Sequence, residues 1–209
     1  MVFRNDKAYL NIIIVVLLGS TVFSCASFSK KRFRKDLVNL QETTLTKLNG
    51  NYSFHPIKRF YNHTKNNPYD HIPDSLRYNN AYDFLINEDY KKESKFDSLR
   101  KRENSYQISL YLESNHLLRI KVLENSKVIK DTVLTGKRKN GMFYIDNRFL
   151  SCTGIPFIFG GCVNNKRRIG LTKDGNLLIN AAFSNEGALL LVFGAGYNYN
   201  VSFEYHRSE

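Results

Sequence analysis

The sequence contains few of the patterns that identify an activity. No serine lies in a Gly-x-Ser-x-Gly frame, so the nucleophile elbow of serine hydrolases is excluded. The five histidines are dispersed, and the first three stand eight residues apart, which fits no usual zinc-ligand spacing. No segment recurs at a fixed period, which argues against a propeller or a solenoid. These absences favour a protein that is not an enzyme and that needs no cofactor and no metal.

Long apolar runs are also missing. The longest unbroken run near the N-terminus covers residues 12–18, far short of the roughly 20 residues needed to cross a hydrocarbon core. Arg4 and Lys7 precede this run, and small residues follow it as far as Cys25. A charged start, an apolar centre and a small-residue end are typical of a secretory signal peptide. An uncleaved anchor and a buried helix are the alternatives.

The segment Val22-Phe23-Ser24-Cys25 resembles the lipobox of bacterial lipoproteins. This resemblance implies that residues 1–24 are removed as a signal peptide and that the thiol of Cys25 is acylated, for example with palmitate. It also implies a lipid-anchored protein of the bacterial cell envelope, in the outer membrane.

Basic residues outnumber acidic ones, 31 to 19, which gives a net charge of +12. A polybasic segment near an anionic leaflet gains about 1 kcal/mol per charge, so the densest cluster predicts a membrane partner within a tether over residues 25–47. A solvated tether without that role is the alternative. The triplets 137–139 and 166–168 are interpreted as surface turns, so no nucleic acid is expected. The cluster consists of Lys30, Lys31, Arg32, Arg34 and Lys35.

Three cysteines are present. If Cys25 carries lipid, Cys152 and Cys162 remain as an even pair in an exported chain, and such pairs form disulfides. Closing so short a loop would stabilise the protein by about 2 to 3 kcal/mol on the chain-entropy model. Two buried free thiols are the alternative.

From Ser105 onward, apolar and polar residues alternate with a period of two, as in strands that cover a core on one side. Short turns separate these runs, among them Asn140-Gly141, a strong hairpin signal. Ten candidate strands result, including one at Tyr52 and two apolar runs at 155–159 and 188–193. The fold class is therefore mainly β, an antiparallel up-and-down meander of about 8–10 strands closed into a barrel. It forms a single domain over residues 48–209, and a helical insertion at 58–104 follows the first strand.

Gly50-Asn51-Tyr52 at the start of the first strand resembles the opening of a lipocalin-type (calycin-type) barrel, and Arg207 stands where that family's closing arginine packs on the aromatic ring. The chain has no tryptophan, which lipocalins usually carry at the position of Tyr52. The resemblance implies a monomer whose apolar interior binds a small hydrophobic molecule. The alternative is a barrel filled by its own side chains, with a helix as plug, that acts as a protein-interaction module. The side chains expected to contact the ligand are Ile108, Leu110, Ile120 and Leu191.

Overall fold

The computed structural model describes residues 26–29, 33–62, 80–86, 106–155, 159–189 and 193–208, and it is mainly β. The predicted signal peptide, Cys25, three of the five clustered basic residues (Lys30, Lys31 and Arg32), Leu191 and most of the predicted insertion lie outside the described residues.

Ten strands and one α-helix make up the described part of the chain, together with two short 3₁₀ helices at Arg34–Asp36 and Glu42–Leu48. The helix, α1, spans Ala81–Ile86. The strands are β1 (Gly50–Ser53), β2 (Lys58–Asn62), β3 (Tyr106–Ser114), β4 (Leu117–Glu124), β5 (Lys127–Lys139), β6 (Met142–Ile155), β7 (Phe159–Leu171), β8 (Leu177–Leu189), β9 (Phe193–Tyr205) and β10 (Arg207–Ser208).

The hairpins form where the turn residues tolerate a left-handed backbone. Asn125 and Ser126, between β4 and β5, have φ angles of 48° and 66°, and Asn140 and Gly141, between β5 and β6, have 52° and 74°. Two consecutive positive φ angles match the twist of the flanking strands in two-residue hairpins. The Asn-Gly hairpin predicted from the sequence is therefore confirmed.

All ten strands belong to one antiparallel sheet with the order β10-β1-β3-β4-β5-β6-β7-β8-β9-β2. The mainly β, antiparallel meander is thus confirmed. The hydrogen-bonded order has two ends, β10 and β2, and is not that of a closed ring. The closed, lipocalin-like barrel remains a prediction.

One face of the sheet surrounds the main core. Alternate residues of β3, β4 and β6 to β9 are buried in a single apolar cluster with α1 and with the leucines of the second 3₁₀ helix. A smaller cluster, in which Phe33, Met142 and Leu178 are buried, lies on the opposite face of the sheet. The N-terminal segment therefore covers the outer face, and α1 covers the inner one.

Two of the sequence interpretations are wrong. Residues 58–62 form β2 and pair with β9, so the insertion does not begin at Lys58. The apolar runs 155–159 and 188–193 are not separate strands, because each contains the end of one strand and the start of the next. Apolar character continues from the end of one strand to the start of the next, so periodicity alone could not place the strand ends.

The lead-in to the first strand also differs from the predicted tether. Leu37 forms an antiparallel bridge with Thr172, and the amides of Val38 and Leu40 donate to the carbonyls of Leu171 and Gly141 at 2.9 and 3.2 Å. Residues 33–48 are therefore attached to the sheet.

Candidate functional site

The residues predicted to contact a ligand lie inside the main core. Ile108 and Leu110 on β3 and Ile120 on β4 are at most 1% exposed. They belong to the same cluster as the buried residues of α1. The structure therefore brings three of the four predicted residues together, but as members of a packed interior; Leu191 lies outside the described residues.

Helix α1 is short, and side chains satisfy its ends. At its start, the Asn80 side-chain oxygen accepts a 2.8 Å hydrogen bond from the Asp83 amide, the usual N-cap arrangement. At its end, where helix carbonyls lack internal partners, the Asn147 side-chain amide donates to the carbonyls of Leu85 and Ile86 at 2.6 and 2.8 Å. A helix of six residues is held in place by the sheet rather than by its own length.

The rings and hydroxyl of α1 contact strands that are far apart in the sheet order. Phe84 packs edge-on against Phe203 of β9, with 5.0 Å between ring centroids. The Tyr82 hydroxyl lies 2.9 Å from the Thr132 hydroxyl of β5, and the Ala81 amide donates to the Phe54 carbonyl just after β1. A single turn and a half of helix can reach β1, β5 and β9 together only if the sheet curves around it.

Arg167 is buried on this inner face, at 1% exposed. Its Nε donates to the Phe84 carbonyl at 2.5 Å, and its guanidinium lies 5.7 and 5.5 Å from the ring centroids of Phe84 and Phe183. Cation–π contacts of this kind gain strength when they are desolvated. The charge therefore ties β7 to α1.

Arg168, the next residue, points to the outer face and is 2% exposed. Its guanidinium donates to the Asn180 side chain at 2.7 Å, to the Tyr144 hydroxyl at 2.9 Å and to the Ser29 carbonyl at 3.0 Å. Phe28 covers it, with 4.3 Å between the guanidinium carbon and the ring centroid. Burial lowers the pKa of Arg168, and its contact with Tyr144 opposes that effect.

The basic triplet 166–168 was interpreted as a surface turn, and this is wrong: it lies within β7. Lys166 is half-buried, and its ammonium donates to the Ala26 carbonyl at 3.2 Å. The triplet 137–139 is also not a turn, because it lies within β5, although it is exposed as expected; nothing in the local sequence distinguishes the two triplets. The difference arises from partners that are distant in the chain, namely α1 and the N-terminal segment.

Residues 26–29, which follow Cys25 directly, are bound to the outer face of the sheet. Asn200 on β9 donates to the Ser27 carbonyl at 2.8 Å and accepts from the Ser29 amide at 2.9 Å. Together with Arg168 and Lys166, Asn200 forms a docking site for these four residues. Of the predicted basic cluster, Arg34 and Lys35 are described, and both are exposed on the first 3₁₀ helix.

The residues carried by the lipocalin resemblance meet at one place. Tyr52 is fully buried opposite Arg207 in the β1–β10 pair, and the guanidinium carbon lies 5.4 Å from the ring centroid. The Tyr52 hydroxyl donates to the Leu48 carbonyl at 2.8 Å, and Arg207 donates to the carbonyls of Lys47 and Asn49. Gly50 has a φ angle of 155°, which L side chains rarely adopt, and a Cβ there would stand 2.7 Å from the Arg207 guanidinium, so any other residue would strain the backbone and displace the end of Arg207.

Burial raises the pKa of Tyr52 to about 12, while the nearby Arg207 charge opposes the shift. Burial also raises the pKa of Tyr205 well above its ordinary value. Both phenols are therefore neutral in the folded protein at physiological pH.

Cys152 and Cys162 stand directly opposite each other on β6 and β7 and form a disulfide. Within the described residues, no three His, Cys, Asp or Glu side chains converge as metal ligands. None of the helices in the described ranges is long and apolar enough to cross a membrane.

No protein-family model, curated protein or solved structure matches the chain.

Proposed function

We propose that the protein is a lipid-anchored component of the bacterial cell envelope whose β-domain is filled by its own side chains and acts as a protein-interaction module. One observation carries the filled interior: α1 lies against strands from distant parts of the sheet. The binding of a small hydrophobic ligand, which the lipocalin resemblance implies, is the competing function.

The composition of the core supports the filled version. Ile108, Leu110 and Ile120 pack in one cluster with α1 and with Leu45 and Leu48 of the second 3₁₀ helix. Apolar side chains that are buried against one another leave little of their surface for a ligand. A ligand of useful size would have to displace Phe84 and its partners.

Closure of the sheet into a barrel belongs to the same proposal. Only four residues separate β1 from β2, and one residue separates β9 from β10. β1 pairs with β10 and β2 pairs with β9, while the amides of Ser53 and Ile57 donate to the carbonyls of His206 and Glu204 across the interruption. In this interpretation β1 and β2 are one bent strand, β9 and β10 are another, and the two are paired along their length. Because β1 also pairs with β3, the sheet would close into a barrel. The contact between Tyr52 and Arg207 stabilises the place where β1, β3 and β10 meet.

The proposed location in the cell envelope is supported by the lipobox-like segment and by the basic residues that follow it. Of the basic cluster, Arg34 and Lys35 are described, and both are exposed. A polybasic segment next to an acylated cysteine adds attraction to an anionic leaflet, and stable anchoring usually combines acylation with a second signal of this kind.

Two measurements on the membrane-purified protein test this proposal: intact mass spectrometry tests the lipid anchor, and organic extraction tests whether the interior holds a ligand. The expected chain begins at Cys25 and carries acyl chains, and organic extraction releases no stoichiometric small molecule. A different mature N-terminus would disprove the lipoprotein, and a stoichiometric hydrophobic molecule would support the ligand-binding function instead.

A matched pair of variants sharpens the test of the interior. Phe84→Ala should create a cavity that binds benzene, as engineered apolar cavities do, whereas the wild type and Tyr111→Ala, altered at an exposed residue of β3, should not. Benzene binding by the wild-type protein with an affinity equal to that of Phe84→Ala would contradict the filled interior.

A further inference from the structure

Four strands of the sheet continue beyond the region that surrounds the core. Pairing between β5 and β6 stops at Gly136 and Ile145, and pairing between β2 and β9 stops at Asn62 and Asn200. β6 to β9 nevertheless remain paired with one another as far as Ile155, opposite Phe159. At about 3.3 Å per residue, they extend roughly 20 Å past the last pair with β2. We call residues 150–155, 159–164, 184–189 and 193–198 the projecting end.

The projecting end is apolar and uncharged at its tip. Its last register row joins four large apolar residues, one from each strand, and we call them the terminal row. Residues 150–163 and 187–203 contain no Asp, Glu, Lys or Arg, in a chain of which 24% is charged. The row beneath the terminal row consists of Gly154, Gly160, Ala188 and Gly194. The terminal row is Ile155, Phe159, Leu189 and Phe193.

Several residues below the tip are in contact with water. Ser151, Thr153 and Gly154 on β6 and Gly196 on β9 are exposed, and Tyr197 keeps 44% of its surface accessible. Within the described residues, the outer edges of β6 and β9 carry no neighbouring strand here. Exposed strand edges are usually blunted by charged residues. The edges of β6 and β9 in the projecting end have no charged residues, which indicates that the tip is in contact with an apolar partner.

The path of the N-terminal segment indicates which apolar partner the tip contacts. Leu37 bridges to Thr172, the Ser29 carbonyl is held by Arg168, and the Ala26 carbonyl is held by Lys166. Followed toward Cys25, the chain therefore runs along β7 from its last residues toward its first. The first residue of β7 is Phe159, in the terminal row. An acyl chain on Cys25 would thus leave the domain in the direction of the projecting end.

We propose that the projecting end docks into the same bilayer that receives the acyl chains of Cys25, so that anchor and tip fix the orientation of the domain. This inference rests on the proposed lipoprotein function. Insertion is shallow, because strand edges without partners are not tolerated in hydrocarbon. The terminal row enters the boundary between headgroups and acyl chains, at a depth typical of interfacial segments. Tyr197, four positions from the tip, lies at headgroup level, where tyrosine is favoured.

The lack of tryptophan in the chain permits a direct test. The full-length acylated protein carrying either Phe159→Trp or Phe193→Trp is reconstituted into vesicles of phosphatidylethanolamine and phosphatidylglycerol with brominated acyl chains. The matched control is Tyr111→Trp, on an exposed site of β3. We expect blue-shifted emission and several-fold stronger bromine quenching for both tip variants than for the control, with shallow bromines quenching better than deep ones.

Equal quenching at the tip and at Tyr111→Trp would overturn the proposal. A blue shift without bromine quenching would also overturn it, because it would mean that a second copy, another protein or residues 8–18 of an unprocessed chain covers the tip. The intact mass of the same preparation reports acylation of Cys25 separately. Quenching in a preparation without acylation would therefore disprove the lipoprotein and leave bilayer docking supported, whereas acylation without quenching would disprove docking alone.

Discussion

The strands β6 to β9 have two halves that differ in what surrounds them. In the core half, Phe183, Val201 and Phe203 belong to the same apolar cluster as α1, and Arg167 donates a hydrogen bond to the Phe84 carbonyl of that helix. In the projecting end, the described residues of the same strands pair with one another alone, and the strands end in an uncharged row. Backbone pairing among β7, β8 and β9 is continuous across both halves, and β6 pairs with β7 in both halves with an irregularity between Ile145 and Phe149. The comparison shows that hydrogen-bonded strands alone do not make a core, and that the stability of this fold depends on the elements which fill the sheet.

Removing the central ring of α1 should have the largest effect on the core half. Phe84 is 1% exposed and contacts Phe203, and truncation of a buried phenylalanine to alanine costs about 3 to 5 kcal/mol. We expect Phe84→Ala to lower the free energy of unfolding by that amount in urea titrations. Tyr111→Ala, at an exposed position, is the control. A loss below about 1 kcal/mol would mean that α1 is not part of the core.

The attachment of the N-terminal segment should be the next most sensitive feature. Arg168→Ala leaves Asn180, Tyr144 and the Ser29 carbonyl without their shared donor, and a hydrogen bond to a charged group is worth about 1.5 to 3 kcal/mol. We expect a loss of about 2 to 3 kcal/mol and faster amide exchange at residues 27–29.

Arg168→Lys provides a more stringent version of that experiment, because lysine keeps the charge and loses the planar fork. It should also release residues 27–29. Arg119→Ala, at a surface ion pair with Glu113 and Asp131, is the control and should leave exchange at these residues unchanged. Unchanged exchange in both Arg168 variants would show that the segment is held by other contacts.

The closing junction should respond to alkaline pH. The pKa of Tyr52 is about 12 in the folded protein and about 10 in the unfolded chain. Between these values, the unfolded chain loses its proton while the folded protein keeps it, so the folded state loses stability as the pH rises from 10 to about 12. Tyr52→Phe should reduce this alkaline loss, measured as the unfolding midpoint against pH, and should cost about 1 kcal/mol at neutral pH for the lost bond to the Leu48 carbonyl. An unchanged pH profile in the variant would show that Tyr205 and other groups cause the whole effect.

Much of the sheet could be predicted from the sequence, because the signals there are local. The alternation in β3 and β4 identified Ile108, Leu110 and Ile120 as inward residues, and Asn140-Gly141 identified a hairpin. The burial of Arg167 and Arg168 could not be predicted, since their partners are the carbonyls of Phe84 and Ser29, more than 80 residues away. Two adjacent arginines on opposite faces of a strand resemble a solvated turn until those partners are known.

Removing the disulfide of the projecting end should have the smallest effect on global stability. This experiment tests directly whether the core half and the projecting end differ in stability. Replacing Cys152 and Cys162 by serine removes a disulfide that closes a loop of sequence separation 10, which would cost about 2 to 3 kcal/mol if the whole chain unfolded in one step. Because no described residue of the projecting end belongs to either apolar cluster, we expect it to open locally before the rest. The urea midpoint of the core should then change little, while amide exchange at residues 150–155 and 159–164 becomes faster. A midpoint shift equivalent to the full 2 to 3 kcal/mol would show that both halves unfold as one cooperative unit.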